Sequence, residues 1–146
     1  MDFKVKNFQE LTTSELYEIL QLRSEVFVVE QDCVYQDIDF KDQKALHVLG
    51  LKDDKIIAYT RLFDSKQYFD TPSIGRVIVK EAERKFGYGH DLIKASIQAI
   101  VNNYEERIIT ISAQTYLQKF YESHGFKQVG KGYLEDGIPH IKMVRD

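Results

Sequence analysis

"VIVKEAERKFGYGHDLI", residues 77 to 93, runs from a β-branched segment through a charged stretch to two glycines around a tyrosine, and then into helical spacing. Gly87 and Gly89 permit a tight turn, and a helix that starts there presents unpaired N–H groups and a partial positive charge to an anion. Nucleoside triphosphates, dinucleotides and coenzyme A all bring phosphates to such turns. A triphosphate loop needs G-x-x-x-x-G-K-[ST], but His90 and Asp91 follow Gly89, so the phosphate lysine and the magnesium hydroxyl are both missing. The dinucleotide fingerprint needs a third glycine at position 92, where Leu92 stands, and it belongs near the start of a parallel βαβ unit. Here the strand follows what reads as an antiparallel hairpin. From the glycines alone, an anion site and a plain strand-to-helix turn are equally good readings.

Outward from this turn the chain spells a regular order of elements. "FKVKNF" (3–8) alternates like a half-buried strand. "TTSE" fits a capping box, with the Thr12 hydroxyl accepting near Glu15 and the Glu15 carboxylate reaching back. Leu16, Ile19, Leu20, Val26 and Phe27 then make one apolar face and predict a helix over 13–27. Residues 30–45 are acidic and aperiodic, as in a loop. "LHVLGLK" and "KIIAYTRLF" flank "DD" as a hairpin, and "SIGRVIV" is a further strand after Thr71-Pro72. Leu92, Ile93, Ser96, Ile97 and Ile100 extend a helix over 87–104. "RIITISA" (107–113) has the pattern of a buried strand, and "TYLQKFYESHGF" that of a helix stopped by Gly125 at C′. Two strands around "EDG" finish the chain. The order β-α-loop-β-β-β-α-β-α-β-β, without repeat or linker, predicts one mixed α/β domain over 1–146.

Composition narrows the classes. A chain of 146 residues, 43% hydrophobic with nine Tyr and nine Phe, can fill one sizeable core. Twenty Lys and Arg against twenty-three Asp and Glu leave a net charge of −3, so no basic field recruits nucleic acid or an anionic membrane. No run of about eighteen apolar residues exists to span a bilayer, and the N-terminus lacks an apolar signal region. A lone Cys33 offers neither an internal disulfide nor a thiolate cluster, which fits a reducing, cytoplasmic setting. No His/Cys/Asp set has metal-site spacing and no Ser-His-Asp signature is present, so metalloenzyme and hydrolase chemistry are not expected.

The quoted stretch resembles the acyl-CoA-binding motif of the GNAT N-acetyltransferase superfamily, a valine-ending strand followed by [RQ]-x-x-G-x-[GA] at a helix start. Arg84, Gly87 and Gly89 match it in register. A second motif of that superfamily, F-Y-x-x-x-G-F, is matched by Phe120, Tyr121, Gly125 and Phe126, and the element order agrees over nearly the whole chain. "LRSEVFVVEQDCVYQDID", "HVLG", "IGRVIV" and "EDGIPHIKM" are similar to the ElaA-like branch. The resemblance implies an α+β fold with a mostly antiparallel central sheet, one splayed parallel strand pair and flanking helices. It also implies transfer of an acetyl group from acetyl-CoA to a primary amine by direct attack in a ternary complex.

It further implies that the coenzyme pyrophosphate lies on the backbone from Arg84 through Lys85, Phe86, Gly87, Tyr88 and Gly89 to His90. The pantetheine arm would pair with the edge of Val77, Ile78 and Val79, where a backbone N–H could also stabilise an oxyanion. Gln114 stands where many relatives carry an asparagine that touches pantetheine, and Leu117 where they often carry alanine. Tyr121 is the implied acid: a phenol titrates near ~10, above a thiol at ~8.5, so it serves first as a hydrogen-bond donor to the sulfur. An alkyl amine near ~10.4 needs a base or a water chain; the candidates are His140, then Glu30 and His47. His90 and His124 are weaker candidates.

The acidic loop, with Asp37 and Asp39 foremost, is a candidate attractor for a cationic amine, and Arg23 and Arg61 are alternative partners for it. Each histidine, the loop acids and Tyr121 also have plain structural readings. A non-catalytic acyl-CoA sensor or protein-interaction domain is the second functional class. The acceptor amine and the acyl chain stay open, as does assembly, including a homodimer.

Overall fold

β1 (Asp2–Asn7), β2 (Leu46–Lys52), β3 (Lys55–Phe63) and β4 (Ser73–Val79) lie side by side and antiparallel in a computed structural model that describes all of residues 1–146. β5 (Ile109–Gln114), β7 (Ile138–Arg145) and β6 (Lys127–Glu135) complete a seven-stranded sheet in the order β1-β2-β3-β4-β5-β7-β6. β4 and β5 run parallel and share a single register pair, Ser73 with Thr110. Beyond it the two strands part. The expected mostly antiparallel sheet with one splayed parallel pair is therefore present.

Side-chain alternation along the sheet selects which helix covers which face. Leu49, Tyr59 and Ile78 meet α1 (Thr13–Arg23) through Ile19 and Leu22, with Val26 beyond it. Their neighbours Val48 and Ala58 point the other way and meet Leu92, Ile93, Ala99 and Ile100 of α2 (Tyr88–Tyr104). β3 is buried along nearly its whole length because both faces are covered. One polar pair interrupts that interface, Thr60 Oγ1 to Ser96 Oγ at 2.7 Å.

The capping box forms: Thr12 Oγ1 accepts from the Glu15 N–H at 3.0 Å and Glu15 accepts from the Thr12 N–H at 2.8 Å. The helix does not end at 27. It leaves α geometry after Arg23 and continues as a π-helical stretch over Ser24–Glu30, which brings Glu30 towards the glycine turn. The helix expected over 115–126 is shorter, with a 3-10 turn at Thr115–Leu117 and then α3 (Gln118–Glu122). Its stop is as read: Gly125 has φ +91°, its N–H bonds Glu122 O, and the Phe126 N–H bonds Tyr121 O. That is a Schellman ending with Gly125 at C′.

Candidate active site

A cavity of about 560 Å³ opens where β4 and β5 diverge. Such a volume suits a small ligand or an extended arm. The β4 wall is shaped by a bulge. Tyr59 pairs with Ile78 and Arg61 with Gly75, so Arg76 and Val77 together face Thr60 alone. Arg76 takes φ +50°, a left-handed conformation. The Lys80 N–H bonds Ile57 O on β3 at 2.8 Å, and alternation then turns the backbone of Val79 and Val77 towards the gap. These edge groups lack a strand to pair with.

At the C-terminal end of β4 the chain makes a 3-10 turn over Glu81–Phe86, and Gly87 enters α2 with φ +73° and ψ +16°. No side chain caps α2; the His90 N–H bonds Gly87 O at 3.2 Å, which leaves the Tyr88 and Gly89 N–H groups of the first turn available. A Cβ on Gly89 would stand 3.5 Å from the Phe120 ring and 4.0 Å from Val79, a place the fold itself tolerates. Gly87, Gly89 and His90 line the cavity together with Val77, Ile78, Val79 and Gln114. Lys85, Phe86 and Tyr88 do not. They form the outer side of the turn, where Lys52 sits 4.5 Å above the Phe86 ring and bonds Glu83 at 2.9 Å.

Arg84 lies at the mouth, but its guanidinium is already engaged. It donates to both oxygens of Glu30 at 2.6 and 2.9 Å and to Val79 O at 2.9 Å. Glu30, read from the sequence as a candidate base, therefore holds the arginine, with each carboxylate oxygen accepting one guanidinium N–H. Gln114 donates to Gln31 at 3.3 Å. His90 Nδ1 and His124 Nε2 are 2.8 Å apart, so one nitrogen donates and the other accepts. Burial, and then the charge of His90, lower the His124 pKa.

Tyr121 is 4% exposed and lines the cavity from α3. Its ring is packed edge-on by Phe120 and Phe126 at centroid distances of 5.1 and 6.0 Å, and no protein group accepts from its hydroxyl. Burial, with Tyr116 adding to it, pushes its pKa above the usual phenol value. The F-Y-x-x-x-G-F spacing thus fixes both the ring and its direction.

His140, 7% exposed, enters the cavity from β7 and stacks on Tyr133. Its Nδ1 lies 2.7 Å from Ile138 O. A carbonyl only accepts, so Nδ1 carries the proton. Nε2 lies 3.3 Å from Glu135 Oε2, beside the carboxylate and without a hydrogen bond to it. Glu135 was missed in the sequence; it pairs with Ile138 and lies two residues beyond Tyr133, the register partner of His140, so strand alternation on the terminal hairpin is the signal that could have found it. His47, by contrast, is fully buried between Tyr59 Oη at 2.5 Å and Asp42 O at 2.9 Å, remote from the cavity lining.

Asp37 and Asp39, expected to attract a cationic amine, meet arginines instead. Asp37 pairs with Arg23 at 2.9 Å and Arg76 at 2.7 Å, Asp39 with Arg61 at 2.8 Å, and Asp42 with Arg23 at 2.7 Å and Arg61 at 2.9 Å. The three acids and three bases balance in charge. Neither Asp37 nor Asp39 lines the cavity. Burial alone would raise the Asp39 pKa, yet hydrogen bonds from Arg61 and its charge bring it down to about 2. No group of three or more metal-ligating side chains is present, and no helix is long and apolar enough to cross a membrane.

Comparison with known proteins gives one consistent result. Residues 9–146 match the family described as "Acetyltransferase (GNAT) domain". The chain is 45% identical to Protein ElaA of Escherichia coli over 139 residues, covering 94% of this chain and 91% of that protein. The crystal structure of Escherichia coli ElaA superposes with a TM-score of 0.91 over the whole of both chains. An acyl-CoA N-acyltransferase from Pseudomonas aeruginosa, 41% identical, superposes with a TM-score of 0.93 over the whole of both chains.

Proposed function

The chain belongs to the GNAT acetyltransferase superfamily, in its ElaA-like family, and from that premise we propose that it moves an acetyl group from acetyl-CoA to a primary amine by direct attack. Membership itself implies an acetyl-CoA-like cosubstrate. The observation that carries the finer reading is the Tyr121 hydroxyl, without a hydrogen-bond partner in the protein and open to the same cavity as the edge of β4 that has parted from β5.

The residues present fit such a cosubstrate. An edge that leaves backbone groups of Val77 and Val79 without a strand takes an extended amide-bearing arm by β-augmentation. The uncapped start of α2, with Gly87 and Gly89 offering no side chain, suits a pyrophosphate. Arg84, fixed by Glu30 and Val79 O, adds an oriented positive charge beside it. Acetyl-CoA supplies an acyl group already activated as a thioester.

The chain's own part is to orient and to manage two protons. The Tyr121 hydroxyl, kept protonated by burial, donates where the thiolate leaves. His140, with Nδ1–H tied to Ile138 O, keeps its Nε2 lone pair for the proton of the attacking amine, and Glu135 balances the charge that follows. Glu30 orients Arg84 and is not used as the base.

The test is release of CoA thiol from acetyl-CoA across a panel of alkyl amines, polyamines and N-terminal peptides. Tyr121→Phe should lower kcat by about 100-fold with acetyl-CoA affinity unchanged, and His140→Gln should do the same. Acetyl-CoA that fails to bind the parent protein overturns the reading of the site. Tight binding without turnover on any amine favours the sensor.

A further inference from the structure

Arg76 is the one residue of β4 with a left-handed backbone. An L side chain is strained there, and glycine would hold the same conformation without that strain. A glycine is adjacent, yet Gly75 has an ordinary φ and a Cβ on it would meet nothing within 4 Å. The strained position of the bulge is thus filled by an arginine, and its side chain is firmly held. Arg76 Nε donates to Asp37 Oδ1 at 2.7 Å, and Nη2 to Asp37 O at 3.1 Å and Asp39 Oδ2 at 3.5 Å. Tyr35 lies 5.8 Å from the guanidinium and gives its own hydroxyl to Asp37 Oδ1 at 2.9 Å.

Asp37 in turn is tied to α1. Its second oxygen accepts from Arg23 Nε at 2.9 Å and its carbonyl from Arg23 Nη2 at 3.1 Å, and Arg23 is fully buried at the end of α1. A rigid chain of contacts therefore runs from α1 through Asp37 to Arg76, one residue before Val77. Nothing across the gap could fix this backbone, because β5 has already parted from β4.

We propose that the Arg76–Asp37 pair is a positioning clamp. It sets the bulge so that the Val77 backbone meets the thioester carbonyl in one orientation; Arg76 acts through that backbone and touches no reacting atom. The inference rests on the acetyl-CoA reading of the cavity above. A fixed bulge keeps its N–H dipole aimed where charge develops, at no reorganisation cost during reaction.

The experiment binds [1-13C]acetyl-CoA and records the thioester carbonyl stretch in the parent, in Arg76→Gly and in Arg76→Lys, beside acetyl-CoA affinity, thermal midpoint and turnover on amines. Arg76→Gly keeps the left-handed φ and removes the clamp; Arg76→Lys keeps the charge and removes the fork, which guards against a glycine variant that fails to fold. The parent should shift the stretch to lower frequency than free acetyl-CoA. Both variants should bind within about twofold of the parent, lose that shift, and drop kcat by about 100-fold, the scale set by roughly 1 Å of misplacement. A full shift retained in either variant, or no shift in the parent, overturns the clamp. So does an affinity that falls in step with the thermal midpoint, since that is what a merely structural pair would show. Failure of the parent to bind acetyl-CoA is a different result: it removes the reading of the cavity.

Discussion

Tyr121 is where chemistry and packing are hardest to separate, because the ring that fills the core also carries a hydroxyl proton at the gap. Burial disfavours its phenolate, so the folded-state pKa lies above the ordinary value of ~10 and the proton is held throughout the neutral range. The sign predicts that kcat does not fall on the alkaline side below about pH 10 through loss of this proton. A pH profile of kcat for parent and Tyr121→Phe checks it: an alkaline limb below that value which vanishes in the variant would take Tyr121 out of the donor role. Gly89 tests the other end of the cavity. Because an added Cβ makes only ordinary contacts with Phe120 and Val79, Gly89→Glu should keep the parent's melting temperature. The carboxylate would stand beside the anion site, so CoA affinity measured by calorimetry should weaken by about 10-fold or more, the equivalent of roughly 1.4 kcal/mol. Unchanged affinity would move the pyrophosphate elsewhere.

At the scale of elements, Gly125 shows how a local signal does long-range work. Its left-handed backbone ends α3 and lets Phe126 turn back onto Tyr121, which locks the donor ring. Gly125→Ala should cost about 1–2 kcal/mol in chemical denaturation from the conformation alone, and the new Cβ would also press on Arg145 Nε at 3.4 Å. A stability equal to the parent's would show the turn to be relaxed. This ending, the Thr12 capping box, the hairpin at Asp53–Asp54 and the glycine turn were legible in the sequence because each is decided within a few residues. The π-helical run to Glu30 and the bulge at Arg76 were not. The first carries a carboxylate to Arg84, 54 residues away, and the second is held by Asp37, 39 residues away. No local periodicity encodes such pairings, so Glu30 read as a base and Asp37 as a substrate attractor.

Over the whole molecule, the acidic loop belongs to the scaffold, and its electrostatics should govern stability. Arg23 from α1, Arg61 from β3 and Arg76 from β4 converge on Asp37, Asp39 and Asp42 of one connecting segment, so three elements share one neutral network. Removing one member leaves a buried charge short of its partner, and Asp42→Ala, which strips Arg23 and Arg61 together, should cost about 3–5 kcal/mol. That is a large part of the roughly 5–15 kcal/mol by which a domain is stable. Acid should do the same without mutation. Burial opposes the charged forms of Asp39 and Asp42, but the arginine bonds prevail and both folded-state pKa values are depressed, Asp39 to about 2. Depressed carboxyls contribute stability that is complete above the unfolded value of ~4 and lost as pH falls through the folded one. The melting temperature should therefore drop between about pH 4 and pH 2. Asp39→Asn should melt lower at neutral pH and lose less over that interval, since one of the titrating groups is gone. Parallel melting curves for parent and variant would mean that acid unfolds the chain through other carboxylates and that Asp39 is not part of the acid-sensitive network.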